Sequence, residues 1–295
     1  MSIRSPYRSL RGISTVVALL AIGAVGCSDV SDAVDSAKDG AKKVARQRSV
    51  FSLATGDCYN PNSKGEGTEV LVEIVPCAEA HTAQVVGDFK IDQGSAYPGD
   101  DAISAIADKR CPVEAGKFAP DTWALPKGVA VFYYTPTKES WSTGDRAVSC
   151  TYTHESGTFK GSLDTSKSLK PEQSTFLTGS NGVYDAFWAN QPEKDNVEED
   201  LKGYKAQAKA VADALDAHLQ GLKDVKGTEV GKLREQLTKT AEHWEKAANA
   251  ADADAFYIAY DSAFGGIDPN KTVAARKELG LATTVPADDA EVWAA

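Results

Sequence analysis

Arg146-Ala147-Val148-Ser149-Cys150-Thr151-Tyr152-Thr153 alternates strictly, with Val148, Cys150 and Tyr152 on one side of an extended chain and Ala147, Ser149 and Thr151 on the other. A strand with one bulky face needs a second layer to cover it, and the residues upstream supply one. Pro98-Gly99-Asp100-Asp101 is a good helix start, and Ile103, Ala107 and Cys111 then recur at i, i+4 and i+8. Cys111 therefore sits on the apolar face of a helix over 101–117. One cysteine on a helix face and one on a strand face, both aimed into a common core, read as the bridge Cys111–Cys150. Further strands are expected over 69–75, 83–91, 129–135 and 157–162, with Ala83, Val85, Phe89 and Ile91 alternating against Gln84, Asp88 and Lys90. The first half is an α+β domain whose simplest arrangement puts the strands on one side of a single amphipathic helix.

The chain has five cysteines. Cys27 closes an N-terminal leader in which Arg4, Arg8 and Arg11 form a basic region, Ile13 to Val25 an apolar one, and Ala24-Val25-Gly26 a run of small residues. That is the layout of a bacterial lipoprotein signal peptide, with Ala24 at a position that such signals more often fill with leucine. The apolar run falls short of the ~20 residues of a membrane-spanning helix. The expectation is cleavage after residue 26 and lipidation of Cys27, whose acyl chains, palmitate among them, anchor the protein to the membrane at its extracytoplasmic face. Disulfides persist there, and four cysteines remain. With Cys111 and Cys150 paired, Cys58 is left for Cys77, and each bridge closes a loop that the chain-entropy model values at roughly 3–4 kcal/mol.

Residues 27–49 carry the lipidated N-terminus and lack the large side chains needed to bury surface, so they are expected to be a flexible spacer. The folded part divides into the disulfide-stapled domain over 50–165 and a second half of different character. Between 171 and 282, Leu201, Tyr204, Ala208, Val211, Leu215, Leu219 and Leu222 advance by threes and fours. Val230, Leu233, Leu237, Ala241, Trp244 and Ala248 do the same. These are two antiparallel helices joined around Lys226-Gly227. Shorter helices follow around Phe256, Tyr260 and Phe264 and before Gly280. The aromatic run Val183-Tyr184-Asp185-Ala186-Phe187-Trp188 begins this all-α helical bundle, and 283–295 is a tail.

The formal charge is −10; removing the leader's three arginines from 32 basic residues against 42 acidic ones takes it to −13. Such a balance argues against a nucleic-acid partner and against a polybasic grip on anionic lipid.

Several constellations invite a chemical reading. Cys77 and His81, in Cys-Ala-Glu-Ala-His, have the spacing of two zinc ligands on a helix, but no short Cys-x-x-Cys pair accompanies them and the compartment favours bridges. Gly144-Asp145-Arg146 reads either as a ligand-binding turn or as a connection held by local hydrogen bonds, the second being the more economical. Tyr133, Tyr134, Trp141 and Trp123 fit a saccharide-stacking platform or, more economically, core and rim. His154, His218 and His243 stand in no recognisable nucleophile motif, and no Gly-x-Ser-x-Gly or His-Glu-x-x-His occurs. No catalytic residue, metal or cofactor is expected.

Gly56-Asp57-Cys58, Val75-Pro76-Cys77-x-x-x-His81, the strand Ala83-Gln84-Val85-Val86, Cys111, and Trp141-Ser142-x-Gly144-Asp145-Arg146-x-Val148-x-Cys150 stand in that order. Together they resemble the septum-formation domain family (Septum_form) over about residues 50–165. Such domains often carry proline directly before the histidine, where this chain has Ala80. The resemblance implies a membrane-attached, extracytoplasmic protein of high-GC Gram-positive bacteria with a link to cell division, and it implies no catalytic residues. The expected function is a non-enzymatic binding or interaction module of the cell envelope. Its partner is another envelope protein or a cell-wall component, met through a surface that includes Trp141, Asp145, Arg146 and His81. The alternative is an envelope hydrolase acting on wall polymer through a pair of carboxylates.

Overall fold

The computed structural model describes residues 46–62, 71–92 and 94–286. The leader 1–26, Cys27, nearly all of the 27–49 spacer, the start of the 69–75 strand and the tail from 287 lie outside the described residues. The rest forms two compact units. One takes the described residues up to Ala115 together with Pro126–Leu163; the other takes Gly116–Leu125 together with the described residues from Asp164 on.

The first unit is built on a six-stranded sheet: β1 Gln47–Ser49, β2 Cys58–Pro61, β3 Leu71–Val75, β4 Ala83–Lys90, β5 Val129–Tyr134 and β6 Ala147–His154. The spatial order is β1-β3-β2-β4-β6-β5 and every neighbour is antiparallel. Helix α1, Asp100–Phe118, lies along one face. Ile103, Ala107, Cys111 and Ala115 are all buried, a ladder four residues apart. Cys111 is bonded to Cys150, and the Tyr152 hydroxyl donates to the Ala115 carbonyl at 3.3 Å. The approach is close because residue 87 is glycine: a Cβ there would come within 2.8 Å of the Glu114 Cβ. The second disulfide joins Cys58 to Cys77.

Four expectations need correction. The alternation over 83–91 does not keep one face, because a bulge falls between Val85 and Gly87. Val85 pairs with Thr151 while Phe89 pairs with Val148, so Ala83 and Val85 leave the α1 side and Phe89 joins it, under the Arg110 guanidinium. Nor does β6 have one buried face. Ser149 and Thr151 are buried as well, beneath a cluster of Val50, Leu53, Tyr59, Val72, Ala83 and Val85.

That cluster also shortens the spacer. Although Gln47, Arg48 and Ser49 are polar, their backbone pairs with Leu71–Glu73, and strand pairing needs no apolar side chain of them. The 157–162 strand does not form. Phe159 makes a single two-bonded bridge to His81, and Gly161 then turns away at φ +89°, a conformation that favours glycine. A short helix not anticipated from sequence, α2 Lys138–Ser142, is held by Thr137, whose hydroxyl accepts from Ser140 N–H while the Ser140 hydroxyl accepts from Thr137 N–H.

The second unit holds α3 Pro171–Ala189, α4 Val197–Leu222, α5 Thr228–Ala248, α6 Ala253–Phe264 and α7 Val273–Leu279. The periodic positions form its core: Ala208, Val211 and Leu215 of α4 pack with Val230, Leu233, Leu237 and Trp244 of α5, joined by Phe176, Leu177, Val183 and Phe187 of α3. The first turn of α5 has no side-chain cap of its own; the Glu278 carboxylate of α7 accepts from Thr228, Glu229 and Val230 N–H at 2.8, 2.9 and 3.0 Å. Gly280, at φ +73°, ends α7 in the left-handed conformation. No helix among the described residues is long and apolar enough to cross a membrane.

Candidate functional site

Around Trp141, Asp145 and Arg146 the expected surface is tied together by local contacts, with Trp141 buried and Asp145 and Arg146 half-buried. Trp141 is only 2% exposed, and its Nε1 donates to the Ser95 carbonyl at 3.1 Å. The Tyr97 ring meets it edge-on, and the Arg146 guanidinium lies 3.6 Å from its centroid. Arg146 Nη1 donates to the carbonyls of Trp141 and Asp145 at 2.8 and 2.7 Å, while Asp145 Oδ1 accepts from Ala147 N–H at 3.0 Å. Gly144, at φ +97°, supplies the turn between α2 and β6. The planar face of Arg146 and one carboxylate oxygen of Asp145 are therefore engaged within the loop. The motif reads as a local hydrogen-bonded connection rather than as a ligand-binding turn.

His81 is likewise not offered to a partner. It is 0% exposed, with its ring edge-on to Phe159 at 4.3 Å. Nδ1 lies 2.8 Å from the Glu79 carbonyl, to which it donates, and Nε2 is buried with no hydrogen-bond partner. The zinc pairing with Cys77 fails on Cys77, whose sulfur is in the disulfide. Among the described residues no group of three or more His, Cys, Asp or Glu is placed to hold a metal ion.

Beside it stands Gln84, which sequence reading assigned only to a polar strand position. Its Nε2 donates to the Gly56 carbonyl and the Ser162 hydroxyl at 3.2 and 2.9 Å, and its Oε1 accepts from Leu163 N–H at 2.7 Å. This buried amide ties the turn before β2 to the end of the unit. Tyr133 and Tyr134 are also absorbed: the Tyr133 hydroxyl donates to Asp108 at 2.7 Å, and Tyr134 lies against Tyr59 under β6. Trp123 belongs to the other unit and is buried there.

In the second unit, segment 116–125 is fastened by a buried ion pair. Arg276 donates through Nη2 to Asp121 Oδ1, and its Nε donates to the Ala282 carbonyl at 2.6 Å. The guanidinium stacks 3.8 Å over the Trp123 ring, and Asp121 Oδ2 accepts from Ala282 N–H at 3.0 Å. Both charges are thus paired and hydrogen-bonded, the condition under which a buried pair is tolerated. Nearby, a cavity of about 20 Å³ is lined by Tyr184, His218, Asp268, Lys271 and apolar neighbours. That volume holds about one water. His218 is buried on α4 with Nδ1 unpartnered, and burial pushes its pKa down to about 4. A second, open depression is lined by Glu242, Glu245, Lys246 and Asn249.

The second unit also presents some large apolar side chains to solvent. Trp188, Tyr257, Ile258 and Phe264 are exposed, on α6 and at the end of α3. Sequence reading used Phe264, with Phe256 and Tyr260, only to place a short helix, and passed over Tyr257 and Ile258. The available signal was the unbroken run Phe256-Tyr257-Ile258, which carries more apolar bulk than a helix with one buried stripe needs.

Residues 25–150 match a family model described as septum formation (Septum_form). No curated protein and no solved structure matches the chain. The matched stretch contains Cys27, all four bridged cysteines, and the strands and helices between them as far as Cys150; α3 to α7 lie beyond it.

Proposed function

We propose that this chain is a non-enzymatic interaction protein of the cell envelope, lipid-anchored through Cys27 at the extracytoplasmic face of the membrane and acting in septum formation. The observation that carries this reading is the septum-formation match over residues 25–150, which spans the leader cysteine and the stapled domain together. Two disulfides in one small domain favour an oxidising compartment, in keeping with the lipoprotein-type leader. The motifs that invited a ligand in the stapled domain stabilise its own loops instead. The contact surface then lies in other exposed parts of the molecule.

The test is affinity isolation of the full chain from detergent-solubilised membranes, with a parallel sedimentation assay on purified cell wall. Specific retention of an envelope protein or of wall is the expected result. Recovery of neither, with hydrolysis of wall polymer by the purified chain, contradicts the proposal.

A further inference from the structure

Among the described residues six large apolar side chains are exposed, and four of them, Trp188, Tyr257, Ile258 and Phe264, belong to α6 or the end of α3. Single exposed apolar residues are ordinary; a concentration on one element is not. Tyr257 and Phe264 are seven residues apart, two turns and about 10 Å along the same face of α6. They are 44% and 45% exposed, and Ile258, beside Tyr257, is 77% exposed. The stripe is backed by a stiff aromatic layer. Phe256, Tyr260 and Phe264 stack in series at 5.4 and 5.6 Å, and Phe187 reaches both Phe264 and Trp188 at 5.7 and 5.5 Å. Such a face is ordered before anything docks, which lowers the entropic cost of docking.

Its charge indicates the occupant. α6 contains Asp254 and Asp261, both exposed, and no lysine or arginine. The Tyr257 hydroxyl donates to the Glu198 carboxylate at 3.3 Å, placing a third acid at the margin. We infer that the exposed face of α6 docks a partner polypeptide segment that carries an apolar stripe flanked by lysine or arginine. The other occupants fit less well. A second copy in a two-fold contact would set Asp254 and Asp261 against the same acids. An anionic membrane surface would repel them. A glycan would be expected to stack on ring faces, yet the most exposed residue, Ile258, has none.

The inference rests on the reading of the chain as an interaction protein. Its test is site-specific photo-crosslinking in the host cell, with a benzophenone amino acid at position 258 of the full chain and, separately, at Val113, an exposed position on α1. The crosslinked peptide is sequenced by mass spectrometry. The expected result is a position-258 adduct to a segment rich in lysine or arginine and apolar residues, with a yield that falls at least ~tenfold in Asp254→Lys/Asp261→Lys. A 258 adduct to a segment lacking basic residues, to a second copy, to lipid or to glycan overturns the inference. So does an adduct whose yield ignores the charge reversal while the variant keeps its thermal transition. Adducts at 113 with none at 258 overturn this surface and leave the interaction reading standing. Adducts at neither position overturn both.

Discussion

His218 shows how a single buried ring makes stability depend on pH. Its Nδ1 has no partner, and the titratable groups on the elements around its cavity are Tyr184 of α3, held neutral with a pKa pushed up to about 12, and Asp268 and Lys271 of the turn before α7. The unfolded ring takes its proton near pH 6.5 and the folded ring only near 4, so between those values the unfolded chain binds more protons. Stability is therefore retained above pH 6.5 and lost as pH falls toward 4, by about 3 kcal/mol. Glu278 acts in the same sense, since the Val230, Thr228 and Glu229 amides lower its pKa and protonation removes the α5 cap. Chemical denaturation between pH 4 and 7 should give a midpoint that rises with pH, with a shallower slope in His218→Gln; an unchanged slope contradicts the assignment. A second residue-scale prediction concerns the buried pair. Arg276→Met leaves the Asp121 carboxyl buried without its guanidinium, and should cost ~3–5 kcal/mol, much of it recovered in Arg276→Met/Asp121→Leu. Equal losses in the single and double variants, measured by urea unfolding, contradict that account. Neither pair nor ring was legible in the sequence, because the partners are 155 residues apart in one case and apolar neighbours decide the other.

Among the elements, those with a regular period were readable and those defined by exceptions were not. Ile103, Ala107 and Cys111 gave α1, and β6 gave the matching cysteine, because both faces repeat over several turns or pairs. β4 misled: a strand read as one alternation is two, separated by a bulge whose one sequence signal, the isolated Gly87, was passed over. The short α2 depends on a capping pair, Thr137 and Ser140, too brief to register as a period. The site residues Trp141, Asp145, Arg146 and His81 were conspicuous as types, yet types do not reveal that a side chain's partners lie in its own loop. The Cys111–Cys150 bridge fastens α1 to β6 across a separation of 39 residues. Cys111→Ser/Cys150→Ser should lose roughly 3–4 kcal/mol in thermal or denaturant unfolding. A loss below about 1 kcal/mol would mean that Gly87 and Tyr152 hold the helix without it.

For the whole molecule, the change of pattern along the chain was the most legible feature. The division into a stapled unit and a helical one was visible as a change from alternation to threes and fours, whereas the assignment of 116–125 to the helical unit was not, since it depends on Asp121, Trp123 and Arg276 meeting in space. The helical unit accordingly needs residues from the middle of the stapled domain's sequence, and a fragment of 195–282 lacks Asp121, Trp123 and all of α3. Such a fragment should be less cooperative in thermal unfolding than the full chain, with Arg276 deprived of its counter-ion. A fragment as cooperative as the full chain contradicts this. The central claim, an anchored envelope protein acting in septum formation, is tested most directly by time-lapse fluorescence of the full chain, tagged at its C-terminus, in dividing host cells. Enrichment at the division site, lost to a diffuse signal in Cys27→Ser, is the predicted result. A signal uniform around the cell throughout division, or one that Cys27→Ser leaves unchanged, would contradict it.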